Sequence, residues 1–284
     1  MKALYILLVI TIFNSSMIAQ DWTDGNNSND EKDWANEPNE NAPPLFFVGI
    51  NFGMLFANNN TAAIYTGSSN VTPYGIDYIL SIPSYKTTFD TYFQYPYYVS
   101  ELPQNPSYKS TLDIGLHAGI NIGKGSTIYL DVNSSNLNFE QFFTIAIDDP
   151  TNKSPEPTYE QFPIIGKEKR INFNLGTQLA LLNKNKTTIY WSAFGNFNSI
   201  KLDRNYIIIN NQEYEIIHSN PQLPDVPPGR IGFGGGSGPG IKYRLTDRIL
   251  ADLTYSLYYI KTRMNDNVQG FGINHGIALR LIWN

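Results

Sequence analysis

Residues 111–133 read TLDIGLHAGINIGKGSTIYLDVN. Leu112, Ile114, Leu116, Ala118, Ile120 and Ile122 fall on one parity, while Asp113, Gly115, His117, Gly119, Asn121 and Gly123 fall on the other. A period of two is that of a strand, whose successive side chains point to opposite faces. After Gly123-Lys124-Gly125 the alternation resumes with Ile128, Leu130 and Val132 against Tyr129, Asp131 and Asn133, so the two runs form a hairpin. One face is apolar and the other small or polar. A soluble sandwich would hide the apolar face in its core, whereas a membrane barrel would turn it to lipid, and the rest of the chain decides between them.

The pattern returns along the chain. Phe46, Val48, Ile50, Phe52 and Met54 alternate with Phe47, Gly49, Asn51, Gly53 and Leu55, and Ile171, Phe173, Leu175, Thr177 and Leu179 with Arg170, Asn172, Asn174, Gly176 and Gln178. Ile249, Ala251, Leu253, Tyr255, Leu257 and Tyr259 oppose Leu250, Asp252, Thr254, Ser256 and Tyr258. A last run from Phe271 through Ile273, Ile277, Leu279 and Leu281 to Trp283 opposes Gly272, Asn274, Gly276, Ala278 and Arg280, and less regular runs lie near 187–199 and 229–245. About eight strands result, each long enough to cross a bilayer at a tilt, for which about 9 to 11 residues suffice.

Connection lengths favour the barrel. Gly123-Lys124-Gly125, Asn183 to Lys186 and Thr246-Asp247-Arg248 are tight turns, and between them lie excursions of roughly 57–109, 140–168 and 200–228, with a shorter one near 262–269. Outer-membrane barrels have short periplasmic turns and long outer loops, and an even strand count puts both termini in the periplasm. A sandwich has no reason for this asymmetry. The expected fold over 45–284 is a closed antiparallel transmembrane β-barrel of about eight strands, or ten if 75–82 and 87–99 add a membrane hairpin. Its wet side is the lumen, lined by Asp113, His117 and Asn121, and its Ile and Leu face meets lipid.

The start of the chain fits export. Lys2 precedes an apolar run from about Ala3 to Phe13, and small or polar residues end in Ala19, the layout of a signal peptide over 1–19 and too short for a membrane helix. Residues 20–44 carry seven acidic side chains against Lys32 and have few large apolar groups, the composition of a disordered periplasmic segment. Within it Asp21-Trp22 and Asp33-Trp34 repeat, a docking motif or a plain spacer. Cysteine is absent, so neither disulfides nor a lipidated cysteine contribute. A net charge of -5 and a pI near 5.2 argue against nucleic acid as a partner. The mean hydropathy of -0.28 does not exclude a membrane, because barrel loops and lumens are polar.

With these features the sequence resembles the small eight-stranded outer-membrane barrels of the OmpA and OmpX kind. The likeness is one of pattern, and it includes the terminal strand GFGINHGIALRLIWN, whose Trp283 suits an interfacial aromatic girdle. Asn284 departs from it, standing where a terminal aromatic is usual. The Asn and Tyr content and the Ala19-Gln20 junction are also similar to outer-membrane proteins of Bacteroidota.

GFGGGSGPGIK at 232–242 lacks the spacing of a phosphate loop. Its Gly232, Gly234, Gly236, Gly238 and Gly240 form a bare lumenal stripe that Tyr190 or Phe194 would cover. Pro239 within it predicts a bulge or kink, with lateral lipid entry as the other reading. Asp113, Asp131 and Asp252 share lumenal parity with Arg170, Lys242, Arg244 and Arg280, and enclosed charges must pair, so salt bridges are expected, a proton or ion path being the alternative. His117, four positions from Asp113, invites an Asp-His pair, but the sequence assigns no serine to it. No metal site or cofactor is expected from three scattered histidines. The most distinctive surface is the first excursion, rich in tyrosine, with Tyr92, Tyr95, Tyr97 and Tyr98 at its centre. Tyrosines offer stiff amphipathic contacts to a protein or glycan, or pack together to order the loop. The expected role is that of a non-enzymatic barrel in the outer membrane, embedded in its lipid, binding envelope proteins or glycans through loops and tail. An envelope-lipid hydrolase or acyltransferase and an accessory barrel of a secretion system are the alternatives.

Overall fold

The computed structural model describes residues 45–283 apart from 73, 123–124, 155 and 219–227. The signal and acidic segments, the Gly123-Lys124 part of the first turn and Asn284 lie outside the described residues. In chain order the elements are β1 (Phe46–Phe56), a 3-10 helix (Ala62–Thr66), α1 (Ile76–Ser81), α2 (Pro83–Phe93), β2 (Tyr97–Glu101), β3 (Thr111–Asn121), β4 (Ser126–Ile147), β5 (Thr158–Lys184), β6 (Thr187–Ile209), β7 (Gln212–Glu215), β8 (Gly229–Arg244), β9 (Ile249–Arg263) and β10 (Gln269–Trp283). They form a 10-stranded antiparallel sheet. Eight strands make a ring in the order β4-β3-β1-β10-β9-β8-β6-β5, and β5 pairs again with β4. These are the eight runs read from the sequence. β2 adds to β4 and β7 to β6 outside the ring.

Alternation sorts the side chains around the ring. On β3, Leu112 is 67% and Leu116 65% exposed, whereas Asp113 and His117 are buried inside. β9 and β10 show the same order, whereas β1 turns its apolar residues outward but carries Phe47 and Leu55 inside beside Asn51 and two glycines. The tight connections at Asn185-Lys186 and between Arg244 and Ile249 share one end with the start of β1 and the end of β10, as Val48 opposite Trp283 and Trp283 opposite Ile249 require.

On β4, β5 and β6 the order then inverts. Inward Asp131, Asn133 and Ser135 give way to Leu137 and Phe139, while outward Ile128 and Leu130 give way to Asn136, Asn138 and Glu140. Inward Asn172 and Arg170 of β5 are followed by Ile164 and Phe162, and inward Asn196 and Asn198 of β6 by Ile200 and Leu202. Outward Phe173 and Phe197 are replaced by Lys169 and Lys201. The register puts Ser135, Arg170 and Ile200 at one level, so the change occurs together on all three strands. Below it the sheet is polar inside and apolar outside; above it, the reverse.

Above that level β4, β5 and β6 continue alone, flanked by β2 and β7, as an open sheet β2-β4-β5-β6-β7. A hydrophobic cluster that includes Phe143, Ile145, Phe162, Ile164, Ile207 and Ile209 packs there against Ile76, Ile79, Phe89 and Phe93 of the two helices. This head corrects two expectations. Residues 75–82 and 87–99 form no membrane hairpin, because Pro83 starts α2, and Phe89 and Phe93, one turn apart, bury a helical face. Gln94 ends α2 with φ 65, its amide donating to the Asp90 carbonyl at 3.0 Å. Much of 140–168 and 200–228 is strand rather than loop. Asn210 and Asn211, with φ 51 and 58, make the two-residue turn that folds β7 onto β6.

The glycine-rich β8 lies beside β6. A Cβ at Gly240 would sit 2.2 Å from the Tyr190 ring, and one at Gly236 2.5 Å from that of Phe194, so these rings occupy the stripe. Pro239 makes no bulge. The β8–β9 ladder skips Gly238 and Pro239 and resumes in register, with Ser237 opposite Leu257 and Gly240 opposite Thr254. Side-chain hydroxyls serve the carbonyls there: Ser192 donates to Gly238 at 2.9 Å and Thr254 to Pro239 at 3.3 Å.

Candidate functional site

Two places concentrate chemically capable side chains, the ring interior and the head. Inside the ring, Arg280 of β10 donates to Asp131 at 2.9 Å, to Asp252 at 3.2 Å, to Asn51 at 3.0 Å and to the Tyr190 hydroxyl at 3.4 Å. Tyr190 in turn donates to Asp252 at 2.6 Å, and Asn51 to Asp131 at 3.2 Å. Asp113 accepts from Asn133 at 2.8 Å and from Ser135. The ammonium of Lys242 lies over the rings of Phe47 and Tyr190, at 5.7 and 5.2 Å.

His117 takes a different partner from the one its sequence spacing suggested. Its Nδ1 is 2.5 Å from Asp131, which the β3–β4 register places directly opposite, while Asp113 lies four residues further along the same strand. Four residues of strand span roughly 13 Å, too far for a contact. The buried imidazole lies between the rings of Phe47 and Tyr129, with centroids 5.2 and 5.5 Å away, and its Nε2 has no hydrogen-bond partner among the described residues. Among the described residues no group of three His, Asp or Glu side chains is arranged to hold a metal ion.

Arg170 is not part of this group. It donates from Nε to Glu168 at 2.5 Å and from Nη2 to Thr61 at 3.0 Å, at the level where the strand polarity inverts. The hydroxyls of Tyr108 and Tyr65 reach the same Glu168 carboxylate, at 2.6 and 3.4 Å. Burial, and next the Glu168 carboxylate, raise both phenols well above their ordinary pKa. Glu168 was missed in the sequence, although it shares interior parity with Arg170. Arg244 stays out of both groups, exposed at the end of β8, where its main-chain amide donates to Lys186 at 2.8 Å.

One groove of the head gathers three of the four singled-out tyrosines. Tyr95, Tyr97 and Tyr98 line a groove of about 730 Å³ with Asp77, Leu80, Ser81, Lys86, Asp90, Gln94, Pro96 and Val99. Tyr97 lies 4.5 Å from the Phe93 ring and donates to Asp90 at 3.2 Å, and burial followed by that carboxylate pushes its pKa up to about 12. Tyr92 lies apart, exposed beside Phe93 and Phe162 and lining a smaller pocket of about 550 Å³ with Thr87, Thr88, Thr91, Gln94 and Asn210. The groove's charged groups went unread in the sequence, although Lys86 and Asp90, paired at 2.9 Å, have helical spacing.

No protein-family model and no curated protein matches the chain. Among solved structures it is similar to Neisserial surface protein A, with 10% identity over 84% of this chain and 96% of that one and a TM-score of 0.41. It is also similar to OprG, an outer membrane protein of Pseudomonas aeruginosa, with 9% identity, coverage of 84% and 92%, and a TM-score of 0.38. For Ail, the attachment invasion locus protein of Yersinia pestis, solved with a heparin analogue, the values are 10%, 84%, 98% and 0.34. None of these is from Bacteroidota, so that finer likeness rests on composition and the Ala19-Gln20 junction.

Proposed function

We infer that the protein is an eight-stranded β-barrel of the outer membrane, with both termini periplasmic, and that it acts as a non-enzymatic surface binding protein through the head above the barrel. The carrying observation is the polarity inversion on β4, β5 and β6. An outward apolar face is stable against lipid and an inward apolar core against water, so the level of inversion is the outer membrane surface. Eleven residues of β3 give roughly 25 Å of height at a tilt of about 45°, the thickness of an apolar band.

The binding reading is supported by the groove and its tyrosines, which lie on the water-exposed side of that level. An enzyme built on His117 fits less well, because the imidazole is held inside the ring by Asp131 between two aromatic rings, away from any acyl chain. A signal peptide over 1–19 and an acidic periplasmic segment over 20–44 complete the proposal, with outer-membrane lipid around the barrel and envelope proteins or glycans as partners of the head.

The lack of cysteine supplies the test. Thr88→Cys places one thiol on the exposed side of α2. It should react on intact cells with a membrane-impermeant maleimide, in a protein that fractionates with the outer membrane and shows heat-modifiable gel mobility. Labelling only after the outer membrane is broken, or recovery as a soluble periplasmic protein, would refute the reading.

A further inference from the structure

The groove of the head runs along an unfilled strand edge. Among the described residues β2 pairs with β4 alone. The Asp148 amide donates to the Pro96 carbonyl at 2.8 Å, which makes Pro96 and Asp148 a hydrogen-bonded pair of that ladder. Such pairs alternate in antiparallel sheets, so Tyr98 and Ala146 form the next one, and the amides and carbonyls of Tyr97 and Val99 point away from β4. The β4–β5 ladder agrees, since the Ala180 amide donates to Gly125 and the same alternation turns Ile147, opposite Tyr97, towards β5. A register shift between Val99 and Glu101 then closes the regular stretch. Two donors and two acceptors at strand spacing therefore face the groove, whose other wall is helical.

We propose that this groove binds an extended peptide segment of a partner protein, which adds as a strand to the free edge of β2 and lays a basic side chain against Asp77. Main-chain groups at this pitch are matched by another strand, and β-augmentation takes its affinity from them and its selectivity from flanking pockets. The groove's charge sets the selectivity. Asp77 and Asp90 stand against Lys86, which is already paired with Asp90, and Asp77 has no ion pair among the described residues. Leu80 and the half-buried face of Tyr97 supply apolar contact beside it. The register shift keeps the edge short enough to take one segment rather than to seed a growing sheet. This proposal rests on the surface-binding reading and names its partner class.

The full-length barrel in detergent micelles is panned with a random decapeptide display library. Enriched peptides should carry Lys or Arg within an alternating apolar pattern. A synthetic copy should bind at least tenfold more weakly to Val99→Pro, which removes an outward donor and leaves the bonds of Tyr98 to β4, and at least threefold more weakly to Asp77→Asn. N-methylation of alternate peptide residues should abolish binding on one parity and spare it on the other, a result that needs no protein variant to fold. Equal affinity for Val99→Pro of unchanged gel mobility, indifference to N-methylation, or no enrichment over that variant would overturn the proposal. So would groove-dependent signal on a glycan array alone, or a dimer lost in Val99→Pro, which would assign the edge to a second copy. The Thr88→Cys labelling is independent of peptide binding, so the surface reading and the peptide proposal fail separately.

Discussion

Arg280 ties five strands together, since it lies on β10 and its partners Asn51, Asp131, Tyr190 and Asp252 lie on β1, β4, β6 and β9. Removing it leaves the buried carboxylates of Asp131 and Asp252 without the cation they share, whereas removing both partners of a pair costs less. Arg280→Ala should destabilise the protein by about 3–5 kcal/mol, read from urea unfolding in micelles by gel mobility. A cost under about 1 kcal/mol, the range of exposed pairs, would show that the interior is open to water at this point. His218 gives a pH dependence in the head. It is half-buried, 2.8 Å from the Asn205 amide, and burial lowers its pKa to about 4. Folding favours its neutral form, so its contribution is complete above the unfolded value of about 6.5 and is lost as pH falls from there through 4, by at most about 3 kcal/mol. Hydrogen exchange at β7, corrected for intrinsic rate, should accelerate between pH 7 and 4.5 in the parent more than in His218→Gln. Equal acceleration in both would place the titration elsewhere.

At the scale of the element, β8 shows how a strand nearly bare of side chains can hold its place. Its glycines let β6 project Tyr190 and Phe194 across it, and Tyr190 is thereby set against Asp252. At Gly240 the three atoms nearest an added Cβ all belong to the Tyr190 phenol, so the conflict is with one side chain and not with backbone. Gly240→Ala should therefore cost about 1–3 kcal/mol by overpacking, and Tyr190→Leu should relieve part of it in a double-mutant cycle. Additive effects would mean that the ring has room to move. The inverted strands make the complementary point, because the same alternation turns apolar side chains outward below and into an ordinary core above. Leu137, fully buried above the change, tests this. Leu137→Ala should loosen the head by about 2–5 kcal/mol, the range of core truncations, yet leave heat-modifiable mobility intact.

For the whole molecule, the contents of the ring set what can pass through it. An eight-stranded ring is just wide enough to be filled by side chains. Arg280 with its aspartates fills one level, Phe47, Tyr129 and Phe194 contribute bulk, and the Glu168-Arg170 pair with Tyr65 and Tyr108 lies across the level where the head begins. The purified protein should give no stable large conductance steps in planar bilayers. Porin-like steps would require that this packing is displaced.

Parity and turn chemistry are local properties, and they were sufficient for the strands of the ring, for which of their side chains lie inside, and for which end carries the tight turns. The Asn210-Asn211 turn and the continued alternation of Leu137, Phe139, Ile164 and Leu202 were equally present in the sequence, but with apolar and polar parities exchanged they read as loop. Partner choice was not local. Which carboxylate meets His117 depends on the β3–β4 register, and Glu168 finds Tyr65 and Tyr108 only because the first excursion folds back over the ring. The groove needs α1, α2 and the free edge of β2 side by side, an arrangement made by burying Phe89 and Phe93 against β5 and β7. The sequence by itself determined the alternation of environments along each strand, because burial preference belongs to the side chain. Only the tertiary structure decided which polar groups meet, because hydrogen bonds act over a few ångströms between residues up to 229 positions apart.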